Sequence, residues 1–161
     1  MDFFDALVGA NPWARRALAK RSGFEPLALL SEQSFSVLRQ SACRDRALAG
    51  AAEWSRWRNQ MLQLGALAAP GLERECWEAL AFADFSLQAD DWAIDFSGFA
   101  FPWDARFSLD CASGPLSLSA AHFARHVHIA GRPAFDGLEA QSIRTGGDLT
   151  LENLSILGSV V

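Results

Sequence analysis

His122, Arg125, His126 and His128 are the densest group of chemistry-bearing side chains in the sequence. His126 and His128 are two apart, so on an extended segment they share a face. An HxxxHxH pattern has the ligand types for zinc or nickel. No carboxylate or cysteine accompanies it nearby, and His122 falls on a different side from His128. Outward, solvated histidines are the simpler reading, and no metal is expected. Asp84, Asp90, Asp91, Asp95, Asp104 and Asp110 recur downstream of residue 83. Catalysis by paired carboxylates needs one of them in a water-poor cleft. Turn-forming aspartates on the outer surface explain the recurrence more simply. There is no GxSxG, no P-loop and no GxGxxG between a strand and a helix, and Gly146-Gly147-Asp148 reads as a turn. No catalytic residue and no cofactor are therefore expected.

The elements that would hold these residues are set by a repeat. From Ala93 to Ile129 a large apolar residue returns at Phe96, Phe101, Phe107, Leu118, Phe123 and Ile129. Neighbours are five or six residues apart, with one gap of eleven between Phe107 and Leu118. A second apolar or small residue sits two positions earlier, at Ile94, Phe99, Ala105, Leu116, Ala121 and Val127. Neither helix nor plain strand alternation gives such steps. Short extended pieces separated by bends do. These twelve residues are the expected interior ladder. After Ile129 the pattern loosens through Phe135, Leu138 and Ile143, and the apolar segment carrying Leu149, Leu151, Leu154 and Ile156 is the expected assembly edge.

The N-terminal part reads as helical. Asn11-Pro12 has the cap and first-position chemistry of a helix running to about Arg21. Its basic side, Arg15, Arg16, Lys20 and Arg21, is too short to favour docking on a membrane or an acidic partner over simple packing of its Trp13 face. Ser31 or Ser34 could cap a helix through Cys43, with Phe35, Leu38 and Ala42 on one face. Asp45 could cap another to about Leu64, carrying Ala47, Ala51, Trp54, Arg58 and Met61. Trp54 and Trp57 are expected to plug the end of a neighbouring core rather than form a binding surface. A junction falls near Pro70-Gly71. The expected organisation is a helical segment over residues 1–70 and a repeat-bearing part over 71–161, with residues 72–82 undecided between a last helix and a first irregular coil.

The residues Phe96-Ser97-Gly98-Phe99-Ala100-Phe101 and Pro102-Trp103-Asp104-Ala105-Arg106-Phe107 resemble the pentapeptide-repeat proteins, in the variant with F-sga-x-F and x-gda-x-F repeats. LSLSAAHF (116–123) and GDLTLENLSI (147–156) are similar, and WSRWR (54–58) resembles the Trp-rich helix that often precedes such repeats. The resemblance covers roughly residues 83–157. It implies a mainly β chain, a right-handed four-sided β-helix (a solenoid) behind the helical segment. It further implies a non-enzymatic structural or protein-interaction scaffold, forming a homo-oligomer through its C-terminal coil. Alternatives within the family are a DNA-mimicking topoisomerase-binding protein and a filament-forming scaffold. Pro102, Pro115 and Pro133 depart from the pattern.

Charge supports two unlike parts. Residues 1–65 hold nine Lys/Arg against six acids, and residues 66–161 hold five Arg against thirteen acids. An acidic C-terminal part argues against direct nucleic-acid binding. Three cysteines, Cys43, Cys76 and Cys111, lie far apart and suggest neither a zinc site nor a disulfide framework. A reducing, cytoplasmic and bacterial-type setting is expected. No apolar run is long enough for a membrane span, and acids precede the first apolar run, the wrong polarity for a signal peptide.

Overall fold

The computed structural model describes residues 2–18, 30–88, 91, 94–109, 115–131, 135–153 and 156–160. Five helices come first among these: α1 (Phe3–Ala10), α2 (Ala14–Leu18), α3 (Gln33–Leu48), α4 (Ala51–Leu67) and α5 (Leu72–Ala81). Residues 72–81 are thus a last helix, and strands begin at Ala83. No helix among the described residues is long and apolar enough to cross a membrane.

Each longer helix buries one stripe at helical spacing. On α3 the stripe is Phe35, Arg39, Cys43 and Ala47, and on α4 it is Trp54, Trp57, Met61 and Leu64. The break between them is set by Gly50, whose φ of 102° is open to glycine and costly for other residues. Asp45 therefore lies inside α3 rather than capping the next helix. Asn11 does not start a helix with its side chain either. It ends α1 fully buried, its amide donating to Leu7 O at 3.0 Å while its Oδ1 accepts from Trp57 Nε1 at 3.1 Å. That locks the end of α1 to the middle of α4.

Ten short strands follow: β1 (Ala83–Leu87), β2 (Ala100–Phe101), β3 (Ala105–Leu109), β4 (Leu116–Ser117), β5 (His122–Phe123), β6 (Val127–Gly131), β7 (Phe135–Glu139), β8 (Arg144–Thr145), β9 (Leu149–Glu152) and β10 (Ile156–Val160). They form three sheets, ordered β1-β3-β6-β9, β2-β5-β8 and β10-β7-β4, and every pairing is parallel. Residues 22 apart face one another: Ala83, Ala105, Val127 and Leu149 are successive partners in the first sheet.

The expected mainly β chain, wound as a right-handed four-sided β-helix or pentapeptide-repeat solenoid, is corrected by this fold. The protein is α/β. Its helices hold more of the described chain than its strands do. The strands make three small sheets, none closed, and no fourth sheet occurs among the described residues. The five- and six-residue steps report only which side chains point inward. They carry no information on how the segments between them are shaped, nor on how much of the chain is helical.

The bends between strands repeat with the same spacing. Gly98 (φ 74°), Ala120 (φ 59°) and Ser142 (φ 59°) sit 22 apart in the left-handed region. Gly98 N–H bonds Ser119 O at 2.9 Å, and Ala120 N–H bonds Gln141 O at 2.7 Å. Only the first of these positions has the residue suited to it. Ala120→Gly and Ser142→Gly are each expected to stabilise the fold by about 0.5–1 kcal/mol, the relief of strain exceeding glycine's added unfolded-state entropy. A thermal melt checks this: a higher midpoint is expected, and a lower one contradicts the strain.

Candidate functional site

The twelve expected ladder residues, Ile94, Phe96, Phe99, Phe101, Ala105, Phe107, Leu116, Leu118, Ala121, Phe123, Val127 and Ile129, are all buried. Alternation along a strand places every second residue on one face, so inward side chains form columns across the paired strands. In the first sheet one column runs Ala83, Ala105, Val127, Leu149 and the next Phe85, Phe107, Ile129, Leu151. The first three members of each column are at most 3 % exposed, whereas Leu149 is 46 % and Leu151 50 % exposed. Both columns end in the open at β9, the last strand of its sheet. The expected assembly edge therefore divides. Leu149 and Leu151 lie on β9, Ile156 begins β10 on another sheet, and Leu154 lies outside the described residues.

Backbone geometry exposes the same edge. Ala105 N–H bonds His126 O at 3.0 Å and Val127 N–H bonds Asp148 O at 2.9 Å. Parallel ladders alternate, so the odd-numbered residues of each strand face the following strand and the even-numbered ones the preceding strand. On β9 this turns Thr150 and Glu152 toward β6. It aims the N–H and C=O of Leu149 and Leu151 at the open side.

The opposite end of the sheets is closed by helices. α3 packs along β1. Asp84, fully buried, accepts hydrogen bonds from Arg39 Nη2 (3.2 Å), Gln40 Nε2 (3.2 Å), Arg106 Nε (3.0 Å) and Arg106 Nη2 (2.8 Å). The Arg39 guanidinium lies 4.4 Å from the centre of the Phe82 ring, and burial lowers its pKa while Asp84 opposes that shift. Trp54 covers the edge of β2, its indole N–H bonding Ala100 O at 2.9 Å, the carbonyl that alternation turns outward. Asp91 is buried as well and pairs with Arg44, besides accepting from Gln88 N–H at 3.0 Å. Asp84 is thus a buried ion-pair partner rather than a surface turn former, while Asp91 closes a turn on Gln88 from a buried ion pair. Asp95 does form a turn: Ser97's hydroxyl and backbone N–H hold its carboxyl below the usual value. Asp104 accepts from His126 N–H at 3.1 Å. Asp90 and Asp110 lie outside the described residues.

The histidines are not gathered into one site. His122 sits on β5 in a different sheet from His128. His128 Nε2 lies 2.9 Å from Glu152 Oε2, and His126 Nδ1 accepts from Asp148 N–H at 3.0 Å. No group of three or more His, Cys, Asp or Glu residues placed to hold a metal ion occurs among the described residues. Burial raises the Cys43 thiol pKa and pushes that of Cys76 up to about 11, so both stay protonated near neutrality and are poor nucleophiles. A cleft of about 610 Å³ beside α2 is lined by Trp13, Arg16, Asp45, Arg46 and Glu53 among others. Its charges are mixed, with Arg16 and Arg46 set among Asp45 and Glu53.

What remains is an α/β protein with three parallel sheets, closed by helices at β1 and β2 and open at β9. Comparison with known proteins names no relative for it: no protein-family model, no curated protein and no solved structure matches the chain.

Proposed function

We propose that the protein is a non-enzymatic protein-interaction scaffold whose docking surface is the open edge of β9. The observation that supports this most is the abrupt end of two buried columns at Leu149 and Leu151. An edge with free backbone groups and apolar side chains is a ready template for another strand. Covering two half-exposed leucines contributes only about 2 kcal/mol. Lasting binding therefore draws on backbone pairing and charge as well. The carboxylates with the greatest catalytic potential by burial, Asp84 and Asp91, are committed to arginines, which supports a structural role over catalysis.

A photo-crosslinking side chain at position 151, introduced in the cells that make the protein, tests this. A discrete protein adduct is expected from position 151 and none from position 37 on α3, also exposed. No adduct, or the same adducts from both positions, contradicts the scaffold reading.

A further inference from the structure

Resting on that reading, we infer that the segment this edge receives is an extended stretch of a different protein, alternating apolar residues with lysine or arginine. Three geometries for the occupant can be compared. Head-to-tail stacking of copies would need β9 to meet β1 or β2 of the next molecule. The β1 edge is packed against α3, whose Cys43 thiol meets the Asp84 backbone, and the β2 edge is covered by Trp54, so that route is closed.

Two-fold pairing of β9 with β9 of a second copy is the next option. Antiparallel partners have residue numbers of constant sum, and partners directly opposite share a face. Setting Leu149 against Leu151 of the second copy puts Thr150 on the axis. Asp148 then falls opposite Glu152 of the second copy, twice over. Both side chains are exposed, at 88 % and 55 %. Like charges directly opposite disfavour pairing. A shift of register in one direction leaves Leu151 facing Gly147, and in the other leaves Leu149 facing Asn153. Either shift gives up half of the apolar contact. Self-pairing thus sets like charges opposite one another in the one register that pairs both leucines, and loses apolar contact in its neighbours.

A foreign strand avoids the conflict. Its apolar residues continue the two columns over Leu149 and Leu151. Its alternate residues point the other way, beside Asp148 and Glu152, where lysine or arginine meets carboxylates. His126 and His128 already lie against these two acids on the β6 side, so the new cations approach from the open side. The excess of acids over arginines in residues 66–161 adds attraction at longer range.

The test is fluorescence anisotropy with labelled peptides and the full chain. One peptide alternates lysine and valine, a second has the same composition in blocks, and a third alternates glutamate and valine. The alternating lysine–valine peptide is expected to bind about tenfold tighter than the block peptide, with the glutamate peptide weaker still. Leu151→Ser should weaken it about tenfold, and Asp148→Asn with Glu152→Gln should flatten its salt dependence. Equal binding of the lysine peptides, or of lysine and glutamate peptides, overturns the inference. So does a failure to bind in a chain that light scattering shows to be a dimer lost in Leu151→Ser; the scaffold reading would then stand with a second copy as partner. No peptide binding, no dimer and no adduct at position 151 would overturn both.

Discussion

Replacing Asp84 with alanine is expected to cost about 3–5 kcal/mol of stability, the range for removing one partner of a buried ion pair. The carboxylate is fully buried, and four hydrogen bonds from three side chains converge on it. Arg106 is 40 % exposed and can turn to water. Arg39, at 9 %, cannot, and its guanidinium would stay desolvated without a counter-charge. The magnitude thus depends on Arg39. Asp84→Leu combined with Arg39→Met leaves no buried charge and should cost far less than Asp84→Ala alone. Urea unfolding of the single and double variants checks this. Equal losses in both would mean that the site is held by packing rather than by charge.

Trp54→Ala is expected to cost about 3–5 kcal/mol. The ring is 1 % exposed and meets Trp57, Phe85, Phe99 and Phe101 with centroids 4.9 to 5.7 Å away. Its loss opens a cavity at the point where α4 meets the first strands. It also strips the Ala100 carbonyl of its donor. Trp54→Phe separates these effects: most of the packing stays, and the loss of the donor alone should cost about 1–2 kcal/mol. Measured unfolding free energies for the pair decide it, and a mild effect of alanine would show that the helices do not seal this end.

The inward positions of the strands were legible in the sequence because burial dictates residue type. Phe96 and Leu118, Phe101 and Phe123, Phe107 and Ile129 are each 22 apart, the offset at which the strands pair. The overall architecture was not legible in the same way. A regular inward pattern is compatible with a closed coil and equally with three open sheets under a helical layer, since it leaves the segments between inward residues undetermined. α1 is not evident in the sequence because Asn11-Pro12 reads as a helix start. Burial of the Asn11 amide against α4 depends on tertiary contacts that local chemistry does not reveal.

Asp84 reads as a surface turn former for a related reason. Its strand position points outward, and sequence periodicity cannot tell an outward face covered by α3 from one in water. One signal was available. Arg39 occupies the apolar stripe Phe35–Arg39–Cys43 of α3, and a cation in such a stripe requires a buried acid. The open edge was partly legible, since Leu149 and Leu151 continue the apolar pattern. Ile156 continues it too but lies on another sheet, because consecutive strands here pass to different sheets and need not share an edge.

Residue-resolved hydrogen exchange of the free full chain tests the open edge most directly. The amides of Thr150 and Glu152, turned toward β6, should be protected, while those of Leu149 and Leu151 should exchange at least about a hundredfold faster on the same strand. An alternating pattern of that kind establishes a β9 edge with free donors. Equal protection at all four positions would mean that another segment already covers β9, and the docking surface proposed for it would not exist.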